Sequence, residues 1–149
     1  MTVIVDTGGI IALVDAYDTH HRAIRAIYDA DPRAWVLPWA ILPEVDHLLA
    51  RHVGADAASA FRRDLAVGAF RVEWGVDADV SRAHALCTQY SALTLGLVDA
   101  AVIAVAERLS ARAIVTVDLR DFGAVSLPRE MLLLPRDAAW YGTTNRANP

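Results

Sequence analysis

Four acidic residues of this chain, Asp6, Glu44, Asp99 and Asp118, stand where a carboxylate does more than solvate a surface. Asp6 follows the apolar run Thr2-Val3-Ile4-Val5, and Asp118 follows Ala113-Ile114-Val115-Thr116-Val117, the two most strand-like stretches of the sequence. A carboxylate at the end of a buried strand must be compensated. It can cap the helix that follows, or it can face a cation. Two such ends meeting at one crevice would repel each other, and a divalent cation relieves that repulsion. All-oxygen ligands suit Mg²⁺ or Mn²⁺. Glu44, one of only four Glu, lies between Ile41 and Leu48 at the edge of an apolar helical stripe. The alternative for it is a boundary residue reaching to water. Asp99 opens a helix after Leu95-Gly96-Leu97-Val98, a position the helix dipole favours for any acid. Each acid alone has a structural explanation. The set, all at element ends or core edges, points to a divalent-cation site.

Composition removes the competitors. The 149 residues carry 14 basic side chains, every one an Arg, against 14 Asp and 4 Glu, for a net charge of −4. Without Lys there is no P-loop, no Schiff base and no lysine-assisted aspartyl-phosphate site. That sets aside receiver domains and haloacid-dehalogenase-like phosphatases; the latter also want a second Asp where Gly8 stands. The single Cys87 excludes a disulfide framework and a Cys-based zinc site, and reads as a small buried hydrophobe. Glu44-x-x-His47 has di-iron bundle spacing, but none of Glu73, Glu107 and Glu130 is followed by a second such His. His20-His21 and His47 lack zincin spacing. No signal peptide or membrane span is legible, so a soluble cytoplasmic protein is expected.

These acids need a scaffold, and the hydrophobic period supplies one. Strands are expected at Thr2–Val5, Trp35–Leu37, Phe70–Glu73, Ala113–Val117 and Met131–Leu134, alternating with helices over Ile10–Asp15, His20–Ala30, Ile41 to about Gly54, Ala55–Val67 and Asp77–Tyr90. Val98, Val102, Val105 and Leu109 mark one more helix by a single apolar stripe. Alternation of this kind predicts an α/β fold, a three-layer α/β/α sandwich around a mostly parallel sheet. Ligands in such folds bind beyond the carboxyl ends of the strands, where strand order reverses. One domain over residues 1–135 is expected, with a tail over 136–149 that is partly ordered and frays after about Gly142.

With these residues in view, the chain resembles the PIN-domain ribonucleases, and within them the VapC-type toxins of bacterial toxin–antitoxin pairs. The likeness runs from about Val3 to Leu134. It rests on Asp6-Thr7 after the first strand, Glu44-Val45-Asp46-His47-Leu48-Leu49, the run Val98-Asp99-Ala100-Ala101-Val102-Ile103-Ala104-Val105-Ala106-Glu107-Arg108-Leu109, and Thr116-Val117-Asp118. Gly8 departs from the pattern, which commonly has a small polar residue there, and Pro43 precedes Glu44 at a helix start where a missing N–H costs little. The resemblance implies an Mg²⁺- or Mn²⁺-dependent endoribonuclease that leaves 5′-phosphate and 3′-hydroxyl ends. Asp6, Asp99 and Asp118 would hold the ion and Glu44 would complete a second or transient site. Thr7 and Thr116 would orient these carboxylates, and Asp121 is either an outer acid or a turn cap. Arg120 and Arg129 are the expected phosphate contacts. A structured tRNA or rRNA is the implied substrate and a VapB-like antitoxin the implied partner. A homodimer is also implied, with the Asp77–Tyr90 helix or the Trp35–Trp39 region as its surface. The competing reading is a non-catalytic PIN-like interaction module whose acids only cap helices.

Overall fold

The three central strands of the sheet are short and wholly apolar. β1 (Val3–Val5), β2 (Trp35–Pro38) and β4 (Ala113–Val115) are buried at every residue. Consecutive side chains of a strand point to opposite faces, so unbroken burial means that both faces are covered. In this computed structural model, which describes residues 1–128 and 130–144, β3 (Arg71–Glu73) and β5 (Leu132–Leu134) are the partly exposed edges. All pairings are parallel and the order is β3-β2-β1-β4-β5. Register aligns Val3 with Trp35 on one side and with Ala113 on the other.

Among the described residues, eight α-helices connect and cover this sheet. They are α1 (Thr7–Val14), α2 (His21–Ala30), α3 (Leu42–His52), α4 (Ala55–Ala66), α5 (Asp77–Gln89), α6 (Leu97–Arg108), α7 (Leu119–Phe122) and α8 (Ala138–Thr144). No helix among the described residues is long and apolar enough to cross a membrane. Chain order runs outward from β1 to β3, then returns past it to β4 and β5. The reversal falls between β1 and β4, which opens a crevice beyond their carboxyl ends. Asp6 follows the one and Thr116–Asp118 the other.

The structure corrects the sequence reading in several places. The expected α/β sandwich stands, its sheet parallel at every pairing, but element bounds and buried faces move. α1 begins at Thr7, three residues before the expected start, despite Gly8 and Gly9. The reason is packing: a Cβ at Gly9 would lie 2.8 Å from the Val115 carbonyl oxygen, so glycine lets the first helical turn approach β4. β4 ends at Val115, two residues early. α6 is buried at every position from Ala100 to Ala106, not along one stripe, because α5 packs on it opposite β1 and β2. Trp35 is 2% exposed and meets Tyr28 edge-on at 5.1 Å, so it belongs to the core and not to a dimer surface. Trp39 is half-buried. α8 runs to Thr144, within the stretch expected to fray after about Gly142; the rest of that stretch, residues 145–149, and Arg129 lie outside the described residues.

Candidate active site

Asp6 occupies the N-cap position of α1, yet its side chain makes no capping hydrogen bond. The residue is 4% exposed. Oδ2 accepts from the Thr116 hydroxyl at 2.9 Å, and Oδ1 is buried with no hydrogen-bond partner. Leaving a buried carboxylate oxygen unpaired is costly. Burial is accordingly the main force that pushes the Asp6 carboxyl up to about 6. Thr116 and the Thr7 amide oppose the shift, while the charges of Glu44 and Asp118 reinforce it. The capping alternative therefore fails at this position.

Asp118 is arranged differently. Its Oδ1 accepts from the backbone N–H groups of Arg120 (3.1 Å) and Asp121 (3.2 Å), so it is the true N-cap of α7. Both bonds fall on Oδ1, and the residue is exposed on the crevice side of the sheet. Its own N–H donates to the Thr116 hydroxyl at 3.0 Å. Thr116 thus ties Asp6 and Asp118 into one unit, and β4 ends early because the chain turns this hydroxyl into Asp6.

Glu44, in the first turn of α3, is an exposed residue rather than one at the edge of the core. Its Oε2 nevertheless accepts from the Thr7 hydroxyl at 2.5 Å, which links α3 to the start of α1. Asp99, in the first turn of α6, has its carboxyl pushed up to about 7. Desolvation is the largest cause, followed by the charges of Asp6, Asp118, Asp121 and Glu44. Asp121 is buried, and Arg120 approaches it at 3.4 Å while remaining largely in solvent. The structure therefore brings Asp6, Glu44, Asp99, Asp118 and Asp121 into one electrostatic field.

Among the described residues, no three His, Cys, Asp or Glu side chains converge as a ready-made metal cage. Uncompensated negative charges resist that approach. The donor set still fits a hard divalent ion. Every donor is a carboxylate oxygen, one is buried and lacks any proton donor, and two hydroxyls hold the acids from behind.

Sequence reasoning missed the packing partner of Gly8. A Cβ there would lie 2.6 Å from Val117 Cγ2, so the Val117 side chain already fills the space that a small polar residue would take. No signal for this exists in the sequence itself, since the two residues meet only through the β1–β4 pairing. Of the expected phosphate contacts, Arg120 stands beside the site and Arg129 is not among the described residues.

Comparison with known proteins follows this geometry. Residues 3–126 match the PIN domain. Over 123 residues the chain is 34% identical to Ribonuclease VapC26 of Mycobacterium tuberculosis, covering 83% of this chain and 91% of that protein. The crystal structure of M. tuberculosis VapC20, a Sarcin-Ricin loop cleaving toxin, superposes with a TM-score of 0.72 at 24% identity, over 85% of this chain and all of that one. VapBC2 from Rickettsia felis, solved bound to a DNA fragment from its promoter, gives 0.65 at 12% identity, over 89% of this chain and 97% of that one.

Proposed function

The chain belongs to the PIN-domain family, and from that premise we propose that it is a VapC-type endoribonuclease toxin that hydrolyses RNA phosphodiester bonds with a divalent ion. The observation that carries this reading is the buried, uncapped Asp6, whose Oδ1 has no hydrogen-bond partner and whose carboxyl is raised to about 6 by burial and by the charges of Glu44 and Asp118. Asp6, Asp99 and Asp118 would hold Mg²⁺ or Mn²⁺, with Glu44 at a second or transient position. The ion would polarise the phosphoryl oxygen and make a water more acidic.

The remaining work falls to the chain itself. Thr116 fixes the rotamer of Asp6 and the backbone of Asp118 together, and Thr7 fixes Glu44. Arg120 can swing its solvated guanidinium from Asp121 to a phosphate. A structured tRNA or rRNA loop is the substrate class we assign. The partner is a VapB-like antitoxin. The apolar groove of Ala23, Ala26, Ile27, Ala30, Pro135 and Tyr141 offers it a seat, and Ala23 and Pro135 continue that groove to Thr116. A homodimer would use the start of α5 and the segment leading into it, where Val80, Trp74 and Val76 are 53%, 73% and 49% exposed.

The test is cleavage of total RNA by purified protein with Mg²⁺ or Mn²⁺, followed by sequencing of the ends. Cleavage with 5′-phosphate and 3′-hydroxyl ends, lost in Asp6→Asn and in excess EDTA, is the expected result. Full activity in EDTA would reject the mechanism.

A further inference from the structure

Tyr17 is 97% exposed, the most solvent-covered large apolar side chain among the described residues. It makes no packing contribution to the fold, yet the loop that carries it, between α1 and α2, is closely built. Tyr17 N–H donates to Asp15 Oδ1 at 3.0 Å and His20 N–H to Asp18 Oδ1 at 2.7 Å. The backbone closes two turns, from Asp18 N to Asp15 O and from His21 N to Asp18 O. The His21 ring then holds the Ala12 carbonyl at 2.8 Å. Both loop carboxylates are thereby turned to backbone donors, and the phenol ring stands out on a braced support.

The loop approaches the acidic crevice through its last residue, His20. α1 starts at Thr7, beside Asp6, and is only eight residues long, which spans about 12 Å. On its far side the loop returns with His20, which lines a cavity of about 340 Å³ together with Ala23, Thr116, Val117 and Leu119. Thr116 is the residue that bonds Asp6.

Charge makes an uncharged contact necessary here. The net charge is −4, and among the described residues Arg25, Arg62, Arg63, Arg82, Arg108 and Arg136 face carboxylates of the chain itself. Phosphate neutralisation, the usual source of affinity for nucleic acid, is correspondingly limited. Stacking of an unpaired base on an aromatic face supplies affinity without charge, and a Tyr ring gives it at small entropic cost.

We propose that Tyr17 is a stacking platform for an unpaired base in a part of the RNA that runs beyond the acidic crevice, and so a determinant of which RNA is held. This inference rests on the ribonuclease reading above. Its test uses a labelled 20-nucleotide single-stranded RNA of mixed sequence and the corresponding duplex, with Tyr17→Ala and Tyr17→Phe in the full chain. Tyr17→Ala should weaken single-stranded binding, and raise KM, by about tenfold. kcat and melting temperature should not move, Tyr17→Phe should bind as wild type, and duplex binding should not change. Equal binding by wild type and Tyr17→Ala would overturn the proposal, as would equal weakening on single strand and duplex. A changed sedimentation mass or antitoxin affinity with unchanged RNA binding would mark Tyr17 as a protein contact and overturn it too. If the wild type neither binds nor cleaves RNA, the ribonuclease reading itself falls; if it cleaves and only the Tyr17 effect is missing, the stacking assignment alone falls.

Discussion

Two aspartates of this molecule are buried almost equally, Asp6 at 4% and Asp79 at 3% exposure, and they are treated in opposite ways. Asp79, in the first turn of α5, receives the Arg108 side chain through both oxygens at 2.7 and 2.9 Å, and also the Val76 N–H at 3.0 Å. Those bonds hold its carboxyl below the usual range. Arg108 reaches Glu73 as well, at 2.9 Å, so this corner is neutralised by a cation of the chain's own. Asp6 has one hydroxyl, an unpaired oxygen and the charges of Glu44 and Asp118 beside it, and its carboxyl rises to about 6. The comparison teaches that the fold can satisfy a buried aspartate where the role is structural. At the carboxyl ends of β1 and β4 it leaves the charge open for an external cation.

Substitutions can break this comparison from either side. Asp6→Asn should lower RNA cleavage by about 10³-fold without loss of thermal stability, because it removes a repelled charge; single-turnover cleavage and a melting curve read both. Arg108→Ala should act in reverse. It strands the Asp79 charge, so denaturant unfolding should show about 3 kcal/mol of lost stability, with cleavage per folded molecule unchanged. Thr116→Val should keep the fold but misplace Asp6 and Asp118 together, lowering kcat by about 10- to 100-fold. If Thr116→Val were silent, the hydroxyl would have no positioning role.

The smallest effect is the pH dependence without metal. Asp6 at about 6 and Asp99 at about 7 lie above the ordinary value of 3.8. The folded chain therefore keeps protons that the unfolded chain has released. The stability they contribute is full below pH 3.8 and is lost as pH rises through 6 to 7. Between pH 5 and 8 the metal-free protein should lose about 2 kcal/mol, less than the two shifts would suggest because Asp99 is partly screened by solvent. Asp79 works the other way, with its contribution present above pH 3.8 and lost only on acidification. Asp6→Asn should therefore flatten the neutral-range slope, and Asp79→Asn should not.

Most of the scaffold is legible because its three central strands are short unbroken apolar runs, and burial on both faces leaves no other pattern available. Less visible were features set by close approach between distant segments. Gly8 and Gly9 argue against a helix when read locally, yet the missing Cβ atoms are what let α1 sit on β4 against Val115 and Val117. The type and position of Asp118 could not separate capping from ligation, and in the structure one oxygen caps while the residue faces the acidic field. Trp35 was drawn toward an interface because an indole serves core and surface equally well, and only the packing with Tyr28 decides.

The central claim is that the Asp6 field is completed by a divalent ion. Melting temperature at pH 7.5, with and without Mn²⁺, for wild type, Asp6→Asn and Asp79→Asn tests it most directly. Saturating Mn²⁺ should raise the wild-type midpoint by about 5 °C or more, leave Asp6→Asn unmoved, and raise Asp79→Asn by the wild-type increment from a lower starting point. An unchanged wild-type midpoint at millimolar Mn²⁺, or an equal rise in Asp6→Asn, would contradict the account.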